Sequence, residues 1–368
     1  MNPEPQHPHF CARCVMSVKD DPEITFDGKG VCSYCQAYDK QKDHQVAKTD
    51  LSKVIAEIKA AGNGKKYDCV VGISGGADSS YLLARAVELG LRPIAMHYDN
   101  GWNSELANHN IENLLTKLNV SLNTYVNDWE EFRDIQLSFL KAGVVDIELV
   151  TDQAILAALY KAAKKYKVSY IITGHNFSTE SILPRHWYHW KTDVLNIKAI
   201  HRRFGDVKMK TYPTLSFMRQ LLNDKYKWVR MVSLLNYLDY DKDSAKEYLN
   251  KNYGWRDYGG KHFESIFTRF YQGYILPTKF GIDKRTAHLS SLINSRQMSR
   301  EDALKVLVKP PYPLEHLEED RRFVIKKLGL SDEQFREIMS QPVKSHTDYP
   351  SYITRHYRFL RFLGKQAG

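Results

Sequence analysis

Four cysteines and one glycine-rich turn hold the residue types in this sequence best suited to chemistry. Cys11-Ala-Arg-Cys14 and Cys32-Ser-Tyr-Cys35 are two CxxC pairs with residues 15–31 between them. Two residues between thiolates let one tight turn present both sulfurs to a single ion, and a second such knuckle completes a tetrahedron. The spacing points to a structural zinc, since four thiolate ligands leave no open position for a substrate. The same donors can hold an iron–sulfur cluster, and two separate redox motifs are the remaining reading. "FDGKGVC" (26–32) reads as the hairpin leading into the second knuckle.

The turn is "VVGISGGADSSYLL" (70–83). An apolar run breaks into Ser-Gly-Gly, and helical periodicity resumes within a few residues. Gly75 and Gly76 allow backbone conformations closed to other residues and let a ligand approach the main chain. A helix expected to begin at Ser79 or Ser80 would offer its unpaired N–H groups and dipole to an anion. Asp78 would repel a bare phosphate, so its presence implies a divalent cation between them. The spacing is neither that of a Walker A loop nor that of a dinucleotide fingerprint. An ordinary helix cap after a tight turn is the plain alternative.

These groups need a scaffold, and the pattern between residues 50 and 240 supplies one. "YDCVVGI" (67–73), "RPIAMHY" (92–98), "SLNTYV" (121–126) and "VSYIITG" (168–174) read as strands. "SSYLLARAVELG", "ELANHNIENLLTKLN" and "TDQAILAALYKAAKKY" lie between them with apolar residues at helical spacing. Such alternation predicts an α/β fold with a parallel sheet covered on both faces. His175 would then stand at the carboxyl edge of a later strand, where ligands of such sheets bind. The expected domains are a zinc module (1–45), the α/β nucleotide domain (46–240) and a helical C-terminal region (241–368). Cys69 falls within a strand and reads as a small core residue.

Composition narrows the class further. The 368 residues carry 53 Lys and Arg against 43 Asp and Glu, a formal charge of +10. That balance suits an anionic small substrate as well as nucleic acid. There is no signal-peptide pattern and no apolar run long enough to span a bilayer, so the expectation is a cytoplasmic protein. Asn2 follows the initiator Met, which argues against an N-terminal cysteine glutaminase in this chain.

Two resemblances extend this reading. "SGGADSS" (74–80) resembles the SGGxDS loop of the ATP-pyrophosphatase (PP-loop) superfamily, with an adenine nucleotide α-hydrolase-like fold. "MHYDNGW" (96–102) and "TGHNFSTES" (173–181) are similar, in the same order, to its nucleoside-contacting segment and its GHN-xx-D/E motif. The resemblance implies that Ser74, Gly75, Gly76, Asp78, Ser79 and Ser80, with Gly174 and His175, bind ATP. It also implies that Asp99 lies near the nucleoside and that Asp78 and Glu180 hold Mg²⁺. Residues 254–304 contain "WRDYGGKHFES" and "LPTKFGIDKRTAHLSSLI". They resemble the C-terminal signature of the N-acetyl sugar amidotransferases of the WbpG and PseA type, as does the "CxxCVM…CxYC" segment. The implied reaction turns an acetamido group of a nucleotide-linked sugar into an acetamidino group, for lipopolysaccharide O-antigen or flagellar glycans. Asp78, His175, Glu180, Lys261 and His262 would serve catalysis. Arg256, Lys261, His262, Lys284 and Arg285 would hold the substrate. Ammonia would come from a separate glutaminase (HisH-like) through a channelling barrel subunit (HisF-like).

The rival enzyme is a tRNA thiolation PP-loop ATPase, which needs a reactive cysteine beyond the zinc set, where only Cys69 is on offer. A nucleotide-sensing adaptor is the non-enzymatic rival. It would need the glycine loop but not Asp78 together with Glu180.

Overall fold

A computed structural model describes residues 10–46, 50–260 and 263–354. Its centre is a five-stranded, all-parallel sheet: β1 (Cys69–Gly72), β2 (Pro93–Asp99), β3 (Leu122–Val126), β4 (Tyr170–Thr173) and β5 (Arg230–Ser233), in the order β3-β2-β1-β4-β5. The chain winds outward from β1 to one edge, returns, and winds to the other. The carboxyl ends of β1 and β4 therefore lie side by side at the reversal point, where open sheets of this kind bind ligands.

Parallel neighbours need crossovers, and helices supply them. In chain order the helices are α1 (Ser33–Val46), α2 (Leu51–Ala61), α3 (Ala77–Glu88), α4 (Glu105–Leu118), α5 (Trp129–Ala142), α6 (Leu149–Tyr166), α7 (Phe177–Glu180), α8 (Val194–Phe204), α9 (Phe217–Tyr226) and α10 (Lys242–Tyr253). A helical C-terminal region follows: α11 (Ile266–Phe270), a π-helical stretch (Tyr271–Phe280), α12 (Lys284–Asn294), α13 (Arg300–Val308), α14 (Leu314–Leu328) and α15 (Asp332–Ser340). Side-chain caps mark several starts: Ser104 accepts from Ala107 N, Asp128 from Glu131 N, and Asn176 from Thr179 N.

The sheet separates two cores. On one face Val70, Ile94, Met96 and Ile171 pack with residues of α5, α6 and α8, with the four cysteines, and with Phe267, Phe270, Val324 and Phe335 from the C-terminal helices. On the other face Cys69, Val71, Ala95 and Ile172 pack with residues of α2, α3 and α4, and with Leu249 and Trp255. The chain after β5 thus reaches both faces and shares each core.

The four expected strands are present, three of them trimmed and β2 shifted by one residue to end at Asp99. The helix after the glycine turn begins earlier than expected, at Ala77 rather than at Ser79 or Ser80, so Asp78 lies within its first turn. The reason is backbone, not side chain: Gly76 takes the extended cap conformation and no side-chain cap bond fixes the start. β5 was not among the strands read from sequence; it is a short edge strand whose first two residues are exposed, so it lacks a buried-strand pattern.

Candidate functional site

The loop from Ile73 to Gly76 leaves the sheet at the carboxyl end of β1. Gly75 has φ +86°, and a Cβ there would lie 2.9 Å from the Ala107 carbonyl oxygen, so this position requires glycine on both counts. Ser79 Oγ, from the first turn of α3, accepts from Ser74 N (3.2 Å) and lies 3.1 Å from Ser74 Oγ. Gly76 N donates to Ser74 Oγ (3.3 Å). Backbone N–H groups and two hydroxyls therefore meet at the uncapped start of α3, an arrangement that suits an anion. Ser80 does not join them. It is fully buried, and its hydroxyl has no hydrogen-bond partner among the described residues.

The loop after β4 closes on this cradle. A Cβ on Gly174 would sit 3.2 Å from Ser79 N and 3.3 Å from Ser79 Cα, so glycine is what lets the two backbones touch. His175 and Glu180 follow, with His175 Nδ1 2.8 Å from Glu180 Oε2. The His175 side chain is 79% exposed. Tyr240 Oη donates to Asp78 Oδ1. Burial, then the charges of Asp78 and Glu180, push the Tyr240 phenol well above its ordinary range, so it stays a donor. Asp78 thus accepts from Tyr240 and Glu180 pairs with His175, and carboxylate oxygens of this kind fit a hard divalent cation. Tyr240 was invisible in the sequence, where it stands in a stretch with no motif.

The third wall comes from the stretch after α10. Trp255 Nε1 (2.8 Å) and Tyr258 Oη (2.9 Å) both donate to the Gly75 carbonyl. Asn110 of α4 bonds Tyr258 Oη and both the N–H and C=O of Arg256, which fixes this segment. Glu264 Oε1 would lie 3.1 Å from a Cβ on Gly76. The backbone of 264–266 is tied to the end of the β2 loop by Ser104 N to Glu264 O and Ile266 N to Trp102 O, each 2.9 Å. Asp99 accepts from Gly101 N (2.8 Å) at the end of β2 and borders an open groove of about 640 Å³ with His97, Asn108, Ile111 and Glu112. The Arg256 side chain is exposed beside this wall, whereas Lys261 and His262 lie outside the described residues.

The four cysteines form a second centre. Their sulfurs all lie within 4.8 Å of one another, and all four residues are buried. Cys11 Sγ to Cys35 Sγ is 4.0 Å and Cys14 Sγ to Cys32 Sγ is 3.7 Å, far longer than a disulfide bond. Arg13 N, Cys14 N and Cys32 N donate to Cys11 Sγ at 3.3 to 3.4 Å, which favours the thiolate. A tetrahedral thiophilic ion fits this donor set, with no gap left for a substrate. Phe26 and Cys32 pair across the expected hairpin. Cys69 is fully buried in β1, and burial pushes its thiol up, as suits a core residue.

Against known proteins, residues 264–363 match the family described as LPS biosynthesis protein WbpG-like, C-terminal domain. The chain carries a WbpG-like C-terminal domain. Over 325 residues the chain is 23% identical to an uncharacterized protein of Methanocaldococcus jannaschii, covering 86% of this chain and 99% of that one. Among solved structures it is similar to NMN synthetase from Francisella tularensis (14% identity, 61% of this chain and 93% of that chain, TM-score 0.29). It is also similar to NH3-dependent NAD synthetase from Campylobacter jejuni (16% identity, 56% and 94%, TM-score 0.28).

The WbpG-like domain begins at Glu264, against the glycine loop, and also braces the cysteine centre. Arg300 donates to the carbonyls of Cys14 (3.1 Å) and Cys11 (3.4 Å), and Val15 N donates to Ser290 Oγ (3.2 Å). From the other side Tyr38 of α1 stacks on Phe177 of α7, with ring centroids 4.5 Å apart. A pocket of about 230 Å³ lies here, lined by Gln41, His175, Glu180, Ser233 and Asn236 among others. Two expected substrate ligands have partners within the protein. Arg285 spends its guanidinium on Asp283 and on the carbonyls of Val306, Lys309 and Pro310. Lys284 faces Glu148 at 3.6 Å.

Proposed function

We propose that this chain is an ATP-dependent, AMP-forming amidotransferase acting on a nucleotide-linked N-acetyl sugar. The observation that carries the reading is the junction of the "SGGADSS" cradle with the segment that opens the WbpG-like domain, through Trp255, Tyr258 and Glu264. An anion-binding loop alone would fit many nucleotide proteins; its wall here is made by the region that resembles sugar amidotransferases.

In this reading the N–H groups of the loop and the Ser74 and Ser79 hydroxyls hold the β- and γ-phosphates, and Asp99 borders the nucleoside. Asp78 and Glu180 are the residues that would hold Mg²⁺, which when bound offsets charge on the departing pyrophosphate. The acetamido oxygen attacks the α-phosphorus and pyrophosphate leaves, giving an O-adenylyl imidate. Ammonia then adds to the imidate carbon, and AMP departs with the former amide oxygen to leave the acetamidine. His175, exposed and bonded to Glu180, would carry a proton or steady the α-phosphate. Exposed Arg256 suits a carboxylate or phosphate of the sugar nucleotide. Cys11, Cys14, Cys32 and Cys35 would hold a structural zinc that stabilises the module carrying α1.

Ammonia reaches the site from a HisH-like glutaminase and a HisF-like barrel, in the cytoplasm and in the service of surface glycan synthesis. No helix among the described residues is long and apolar enough to cross a membrane. The test is pyrophosphate release from ATP with a panel of nucleotide-linked N-acetyl sugars and ammonium, run beside the same assay with tRNA. Release with a sugar, and an amidine product by mass spectrometry, is expected. Release with tRNA and with no sugar would replace this reading with a thiolation ATPase.

A further inference from the structure

We propose that Trp255 and Tyr258 lock the Gly75–Gly76 peptide in the orientation that presents its N–H, and not its carbonyl, to the pyrophosphate of ATP. The inference rests on the nucleotide reading above and assigns these two residues a positioning role.

The Gly75 carbonyl accepts two hydrogen bonds, from Trp255 Nε1 and from Tyr258 Oη. Tyr258 Oη also accepts from Asn110 Nδ2 (2.9 Å), which leaves its single proton for Gly75. The chain contains no cis peptide among the described residues. In a trans peptide the C=O and the following N–H point in opposite directions. Holding Gly75 O against Trp255 and Tyr258 therefore turns Gly76 N–H the other way, toward Ser74 Oγ and, beyond it, Ser79 Oγ.

A lock is needed because this peptide joins two glycines. With no Cβ on either side, little steric cost opposes a flip about the peptide. The flipped form would set a carbonyl dipole among the serine hydroxyls and turn attraction for an anion into repulsion. Trp255 is 2% exposed, and Asn110 holds Arg256, between the two donors, by both its N–H and its C=O.

The test uses Tyr258→Phe, which keeps the ring and removes only the donor, Trp255→Phe, which removes the donor and also shortens a buried ring, and the double variant. Dissociation constants for Mg·ATP and for inorganic pyrophosphate are measured by calorimetry, beside the thermal midpoint. Each single change is expected to weaken both ligands about three- to tenfold. The double variant should lose more than the product of the singles, because either donor alone still holds the carbonyl. Unchanged constants in all three variants would overturn the lock, as would a fall in midpoint with normal affinity in the folded protein. If Trp255→Phe does not fold, Tyr258→Phe, whose ring is only half-buried, decides alone. If the wild-type protein binds neither ligand, the nucleotide reading itself fails and the lock with it.

Discussion

His346 joins segments far apart in the chain, and its environment makes stability depend on pH. Its Nδ1 donates to Asn196 Oδ1 (2.8 Å), and its Nε2 accepts the Asp146 N–H (3.2 Å). Asn196 Nδ2 donates to the His346 carbonyl, which fixes the amide orientation and with it the neutral Nδ1–H tautomer. A second proton on Nε2 would face another N–H. Burial first, then the neighbouring His189 and Lys191, push the imidazole from 6.5 down to about 2, against the opposing pull of Asp193. The unfolded chain therefore binds a proton near its ordinary pKa that the folded chain refuses. Stability from this group is full above that value and is lost as pH falls below it. Each pH unit costs about 1.4 kcal/mol, so moving from pH 6.5 to pH 5 removes about 2 kcal/mol. That is a sizeable share of the ~5–15 kcal/mol typical of a domain. Urea unfolding at pH 7.5 and pH 5, followed by tryptophan fluorescence, reads it out for wild type and His346→Gln. Other titrating groups act in both proteins, so the gap between them isolates His346. The gap should shift by about 2 kcal/mol in favour of the variant on acidification; parallel losses in the two proteins would refute the argument.

Asp78→Asn should lower pyrophosphate release by at least on the order of 100-fold while the thermal midpoint holds, because a half-buried carboxylate in the first turn of α3 carries little packing; near-normal turnover would remove its cation role. Cys32→Ser should lower metal content and soluble yield together, read by elemental analysis and by unfolding with and without a chelator; full zinc and normal stability would argue against the tetrathiolate site. Arg285→Ala should destabilise by about 1–3 kcal/mol, since it removes the guanidinium bonds to Asp283 and to three carbonyls, yet leave the KM for the sugar unchanged; a raised KM at constant stability would return Arg285 to the substrate site.

Local chemistry made much of this legible in the sequence. The two CxxC pairs announced a closed metal site because ligand spacing is a property of one turn of chain. Apolar runs and helical periodicity gave β1 to β4 with α3, α4 and α6, since both periods are short-range, but not α5. β5 escaped because an exposed edge strand has little to distinguish it from a loop. Arg285 and Ser80 misled because a side chain's type does not say which way it points: one clamps carbonyls of α13 and its following loop, and the other is buried.

By itself, then, the sequence determined the glycine turn, its acidic residue and the four thiolates. Each depends on residues within a few positions of one another. Only the tertiary structure decided that Gly174 touches Ser79, that Tyr240 donates to Asp78, and that Trp255 and Tyr258 hold the Gly75 carbonyl. Those partners lie roughly 100 to 180 positions apart, and no local pattern encodes a contact made when two cores close on opposite faces of one sheet.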